Sequence, residues 1–140
     1  MIKYIGGFPD QAALEGTVTA GVAIADGDIL DINGNVLQRA TSSTTIHTIM
    51  GVAAGTISAT DTLILWKPFI QGQLYEVDVA NSTAADQVYE SMVLTDHDTI
   101  NNTGSDSTGA TAVFLALALK GAAADKKLLG EFTRLQSTST

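Results

Sequence analysis

Apolar and polar residues alternate over long stretches of this chain, and a period of two marks a strand with one buried face. The pattern begins at Thr17, where Val18, Ala20, Val22 and Ile24 alternate with Thr17, Thr19, Gly21 and Ala23. It resumes in Tyr75, Val77 and Val79, which alternate with Glu76 and Asp78. Of the shorter apolar runs, Leu63 to Trp66 (closed by Lys67-Pro68) and Ala112 to Leu119 read as buried strands, Ile46 to Val52 is a strand candidate, and Val88 to Leu94 returns to apolar character. Glu131 to Leu135 reads as a closing strand.

The punctuation between these runs is that of β-turns. Ile29 to Ile32 and Val36 to Gln38 flank Asn33-Gly34, the sequence of a two-residue type I′ hairpin. That loop would set Leu30 opposite Leu37 and Ile32 opposite Asn35. Ala25 to Asp28 reads as a turn and Ala40 to Thr45 as a polar loop. Ser82 or Thr83 is placed to cap a helical first turn, and Gly121 to Lys127 to form a turn or short helix. Asp96 to Gly109 can bury little and reads as a long exposed loop around Ile100. The expected fold is mainly β: about eight to ten short strands in a single compact barrel, tulip-like or sandwich domain, with short helical turns. No clear amphipathic helix separates the strands, which argues against a βαβ fold.

Residues 1–16 read differently. Ile2, Tyr4, Ile5 and Phe8 are apolar, but Gly6-Gly7 interrupts any regular element. Pro9 is placed to open a short helix, Asp10 to Leu14, stopped by Gly16. A helix this short is marginal alone, so the segment must pack on its own domain or on a partner. The resulting division is an extended N-terminal arm (1–16), a β-rich domain (17–136) and a frayed tail (137–140).

Composition reinforces the β reading. Among 140 residues there are eighteen Thr and nine Ser but only four Glu and five Lys, so good surface-helix formers are scarce. Absence of cysteine excludes disulfides and thiolate metal sites. The longest apolar run, Ala110 to Leu119, falls short of the roughly 20 residues of a membrane-spanning helix. The first residues lack the apolar stretch of a signal peptide. A formal charge of −8 argues against nucleic acid as partner. The charge is uneven: three basic and thirteen acidic residues precede Lys120, whereas the last 21 residues carry four basic and two acidic ones. That basic end could dock on an acidic neighbour, including another copy of the chain.

Motifs for chemistry are sparse. Asp96-His97-Asp98 groups three possible metal ligands, but in a strand the middle side chain points away from the other two, and further ligands would have to come from elsewhere. It reads as a solvated loop. His47 reads as a half-exposed strand residue rather than a catalytic base. Asp31 to Asn35 opens like a calcium loop, but Val36 stands where Gly is needed and Ser42 where Glu is needed. Nucleophile-elbow, Walker and dinucleotide-binding patterns do not occur. The reading is therefore of a structural or binding part, with no catalytic residue, metal or cofactor assigned.

The order of features has a counterpart. Gly21 to Leu30 precedes the hairpin; Ile49-Met50-Gly51-Val52-Ala53, Leu63 to Pro68 and Leu74 to Val77 follow; Thr95-Asp96, Thr99-Ile100-Asn101, Val113-Phe114-Leu115 and a lysine-bearing close complete it. Over roughly residues 17–135 this resembles the head decoration, or capsid cement, proteins of tailed bacteriophages. The resemblance implies a β-tulip or barrel domain that forms a homotrimer on the outer surface of the assembled head. It implies the major capsid protein and further copies of itself as partners, a virion location after synthesis in the host cytoplasm, and no enzymatic activity. Ile2, Tyr4, Ile5 and Phe8 match the family's shell-contacting arm by position and apolar character. Competing expectations are another virion component, such as a tail-tube, head-completion or fibre subunit, or a small trimeric β-fold enzyme. The dUTPase type of the latter would need a Gly-x-x-x-Asp-x-x-Tyr-x-Gly stretch that this chain lacks.

Overall fold

The computed structural model describes residues 2–7, 12–103 and 109–135. Eleven strands are found among them: β1 Lys3–Gly7, β2 Leu14–Thr17, β3 Ile29–Asn33, β4 Val36–Arg39, β5 Ile49–Ala53, β6 Leu63–Pro68, β7 Gln73–Val79, β8 Ser91–Leu94, β9 Thr99–Asn101, β10 Phe114–Leu119 and β11 Lys127–Phe132. Helix among the described residues is limited to two single 3-10 turns, Ala85–Gln87 and Ala123–Asp125. The fold is mainly β, as the periodicity predicts.

The strands form two sheets. In the first, the order is β1-β7-β11-β10-β8-β9, and β9 returns to pair in parallel with β7. Five strands, β7, β11, β10, β8 and β9, thereby close into a barrel. β1 and β9 share one edge of β7: Lys3 to Gly7 pairs along Gln73 to Glu76, and Thr99 and Ile100 pair with Asp78 and Val79. The second sheet, β2-β6-β5-β3-β4, curls until Val18, just past β2, bridges to Leu37 on β4.

Two apolar clusters follow from this arrangement. The larger fills the barrel with Tyr75, Val77, Val79, Met92, Leu94, Ile100, Phe114, Leu128 and Phe132, and takes Ile29, Ile49 and Val52 from one face of the second sheet. The smaller lies on that sheet's other face, with Val18, Ile24, Leu30, Leu37, Ile64 and Trp66. The middle strands β3 and β5 are thus buried on both faces, which is why they read as short apolar runs, whereas β2 and β6 keep one face outward. Phe69 stacks on Phe132 at 4.1 Å between ring centroids, and Tyr75 meets both edge-on. A β-carbon on Gly130 would lie 2.2 Å from the Leu115 carbonyl oxygen and 2.5 Å from the Phe114 ring, so the crossing of β10 and β11 needs glycine.

Several local expectations are corrected. The hairpin turns on Gly34-Asn35, with Asn33 opposite Val36 and Ile32 opposite Leu37. Gly34 has φ +66° and Asn35 does not share the positive φ, the sign pattern of a type II′ turn with glycine first. The strand expected from Thr17 to Ile24 does not form: β2 ends at Thr17, Val18 and Ile24 make isolated bridges, and the chain turns at Ala20-Gly21, where Gly21 has φ +125°; Val18 and Ile24 are buried but Val22 is exposed. Ile46 to Thr48 is a turn held by Thr45 and Thr48, and it leaves His47 exposed before β5 begins. Ala84, not Ser82 or Thr83, precedes the first 3-10 turn, and the Gln87 side chain accepts from its amide. Ile100 is buried in the barrel instead of standing in an exposed loop.

The N-terminal segment is also built in. β1 is an edge strand of the first sheet and β2 an edge strand of the second, so the boundary at residue 16 does not separate an arm from a body. Asp10 and Gln11 of the expected helix lie outside the described residues; Ala12 and Ala13 are not helical and Leu14 opens β2, so no helix runs to Leu14. The frayed tail also lies outside them.

Candidate functional site

The four apolar N-terminal residues separate. Ile2 is 4% exposed within the barrel cluster. Tyr4 packs against that cluster with its ring edge-on to Tyr75. Ile5 points to solvent. Phe8 lies outside the described residues. Ile2 and Tyr4, expected to contact a partner, are therefore committed to the domain's own core, because alternation along β1 turns them inward and leaves Lys3 and Ile5 outward.

Polar side chains from three separate segments meet around His97. The loop after β8 carries this histidine against the start of β3, where the Ile29 amide donates to the His97 carbonyl. Arg39, at the end of β4, reaches His97 Nε2 with a guanidinium nitrogen at 3.3 Å. His97 Nδ1 lies 3.2 Å from Asp28 Oδ1, and Asp28 Oδ2 accepts from the Ala25 amide. Asp28 is buried. A guanidinium only donates, so Nε2 accepts and the imidazole hydrogen sits on Nδ1, where it donates to Asp28. The result is a directed chain, Arg39 to His97 to Asp28, that ties three separate segments together.

The same residues test the metal reading. Asp28, His97 and Asp98 place one ligand atom each within 4.8 Å of one another, so the structure supplies from β3's entry the third ligand that the sequence alone could not. Asp96 is not in that group; its carboxylate accepts from the Asp98 amide. A cation at this point would need the Nδ1 lone pair, yet the Arg39 donor on Nε2 puts a hydrogen there. The arrangement fits a hydrogen-bonded staple rather than a metal centre. The calcium-loop fragment is likewise ordinary structure, since Asp31 is buried in β3 and bonded by the Thr44 hydroxyl.

Beside the staple lies a groove of about 560 Å³, on the seam where Val18 meets β4. Its walls include Val18, Val22, Ile24 and Leu37, and Arg39 and His97 line it as well. Neither Asp28 nor Arg39 carries a local sequence signal. They lie 69 and 58 residues from His97, and only the packing of the barrel against β3 and β4 brings them together.

The basic end expected to dock elsewhere is partly engaged at home. Lys127 bonds Asp78 across β11 and β7 at 2.6 Å, and Arg134 donates to the Phe69 carbonyl. No family model matches the chain, and no curated protein sequence matches it.

Proposed function

We propose that this chain is a non-enzymatic structural protein of a virus particle, a decoration protein that binds the outer face of an assembled head and works as a homotrimer. The ordered features over residues 17–135 motivate the reading. The observation that carries it is an outward apolar pair on β6: Leu63 and Leu65, two residues apart on one face, are each half exposed while Ile64 and Trp66 between and beyond them are buried. Single exposed leucines are ordinary. Two in register, beside a shallow depression lined by Ile57 and Gly55 and bordered by Glu15, form a patch suited to a neighbouring copy.

The physical logic is mass action. A protein that binds the assembled lattice better than its free subunits stabilises the shell, and symmetric copies multiply modest contacts. The test is a Leu63→Ser/Leu65→Ser double variant. Light scattering is expected to show a trimer for the parent and a smaller species for the variant at unchanged thermal stability, and the variant is expected to co-sediment less with heads of its own virus. A monomeric parent that ignores those heads would remove the reading.

A further inference from the structure

Independently of any role in a particle, we infer that the groove at the barrel seam is a binding site for a small amphiphilic carboxylate, an alkyl chain ending in –COO⁻. Three features of the chain point to that ligand.

The first is the match of size and lining. A volume of about 560 Å³ falls within the usual range for small-molecule sites, and apolar walls with a few placed polar groups are their usual lining. Val18, Val22, Ile24 and Leu37 supply the apolar walls.

The second is the fixed position of the charge. Arg39 follows Leu37 by two residues on β4, so both side chains share one face, about 7 Å apart along the strand. An alkyl chain lying against Leu37 and Val18 therefore places its carboxylate at Arg39. The described hydrogen bonds use one guanidinium donor of Arg39, on His97, and leave the rest of the planar fork for an anion. The one acidic side chain among the described residues that line the groove, Asp96, has one carboxylate oxygen engaged by the Asp98 amide.

The third is preorganisation. Asp28 is buried and holds His97, and His97 holds Arg39, so the cation is oriented before ligand arrives. That arrangement lowers the ordering cost of binding. In this scheme Arg39 binds the ligand, whereas His97 and Asp28 are positioning residues.

The test uses octanoate as probe, with octan-1-ol as the uncharged chain of the same length. Trp66 is the chain's sole tryptophan and packs in the cluster with Val18, Ile24 and Leu37, so its fluorescence reports occupancy. Octanoate is expected to give a saturable change, and octanol to bind at least about ten-fold more weakly, as loss of a charge-assisted contact implies. Arg39→Gln is expected to abolish that preference for octanoate. His97→Ala is expected to weaken octanoate while leaving octanol unchanged, a split that general loosening of the groove would not produce. Should Arg39→Gln fold poorly, Val22→Asp, at an exposed wall position, is expected to block octanoate with the fold intact. No saturable change in the parent, or equal affinity for octanoate and octanol, would overturn the inference.

Discussion

Asp31 shows how one atom can set a pH dependence. Its carboxylate is buried in β3, one oxygen accepts from Thr44, and the other has no partner among the described residues. Burial pushes its pKa above the ordinary carboxylate value, and the Thr44 hydroxyl and the nearby Gln38 side chain only partly offset this. The folded state thus holds the proton more tightly than the unfolded state. The stability this gives is full below pH 3.8 and is lost as pH rises through the folded value. Asp31→Asn is therefore expected to stabilise the protein at neutral pH by about 1 kcal/mol, roughly 3 °C in Tm, with the gain vanishing in acid. Thermal melts across pH check it. Asp78 has the opposite sign. Burial raises its pKa, but the Lys127 hydrogen bond and nearby positive charge bring it below the ordinary value, so its contribution is present at neutral pH and lost in acid. Both partners are more than a third exposed, so Lys127→Met is expected to cost less than about 1 kcal/mol by chemical denaturation. None of this was visible in the sequence, where Asp31 resembled the start of a calcium loop and only its place in β3 shows it to be a core residue.

Among the elements, legibility followed the length and regularity of the alternation. β7 buries Gln73, Tyr75, Val77 and Val79 and turns Leu74, Glu76 and Asp78 outward, as period two requires. The hairpin's existence was legible but its register was not, because Asn33-Gly34 and Gly34-Asn35 are both good turns and the choice rests on which one pairs Ile32 with Leu37. β9 was hidden: three residues in a polar stretch carry no period, and Ile100 is drawn in by parallel pairing with β7, a contact between distant segments. Gly130 looked like any other glycine, since the atoms that forbid a side chain there belong to β10. Gly130→Ala is expected to cost at least about 2 kcal/mol by urea denaturation, because neither a carbonyl nor a core ring can yield cheaply.

For the whole molecule, the mainly β class was legible from composition and periodicity, whereas the groove with its Arg39–His97–Asp28 staple was not, since its members meet only when the second sheet docks on the barrel. The same docking changes what an N-terminal truncation should do. Removing residues 1–8 takes Ile2 and Tyr4 from the core, so the shortened chain is expected to lose about 3 kcal/mol or more of stability by denaturant titration. The place of β11 has a kinetic consequence. It lies between β7 and β10 although every other barrel strand precedes it in the chain. A nascent chain on the ribosome therefore carries β7, β8, β9 and β10 with a gap between β7 and β10, and the barrel cannot close until residues 127–132 have emerged. Until then the growing polypeptide offers unpaired backbone to whatever chaperone waits at the exit.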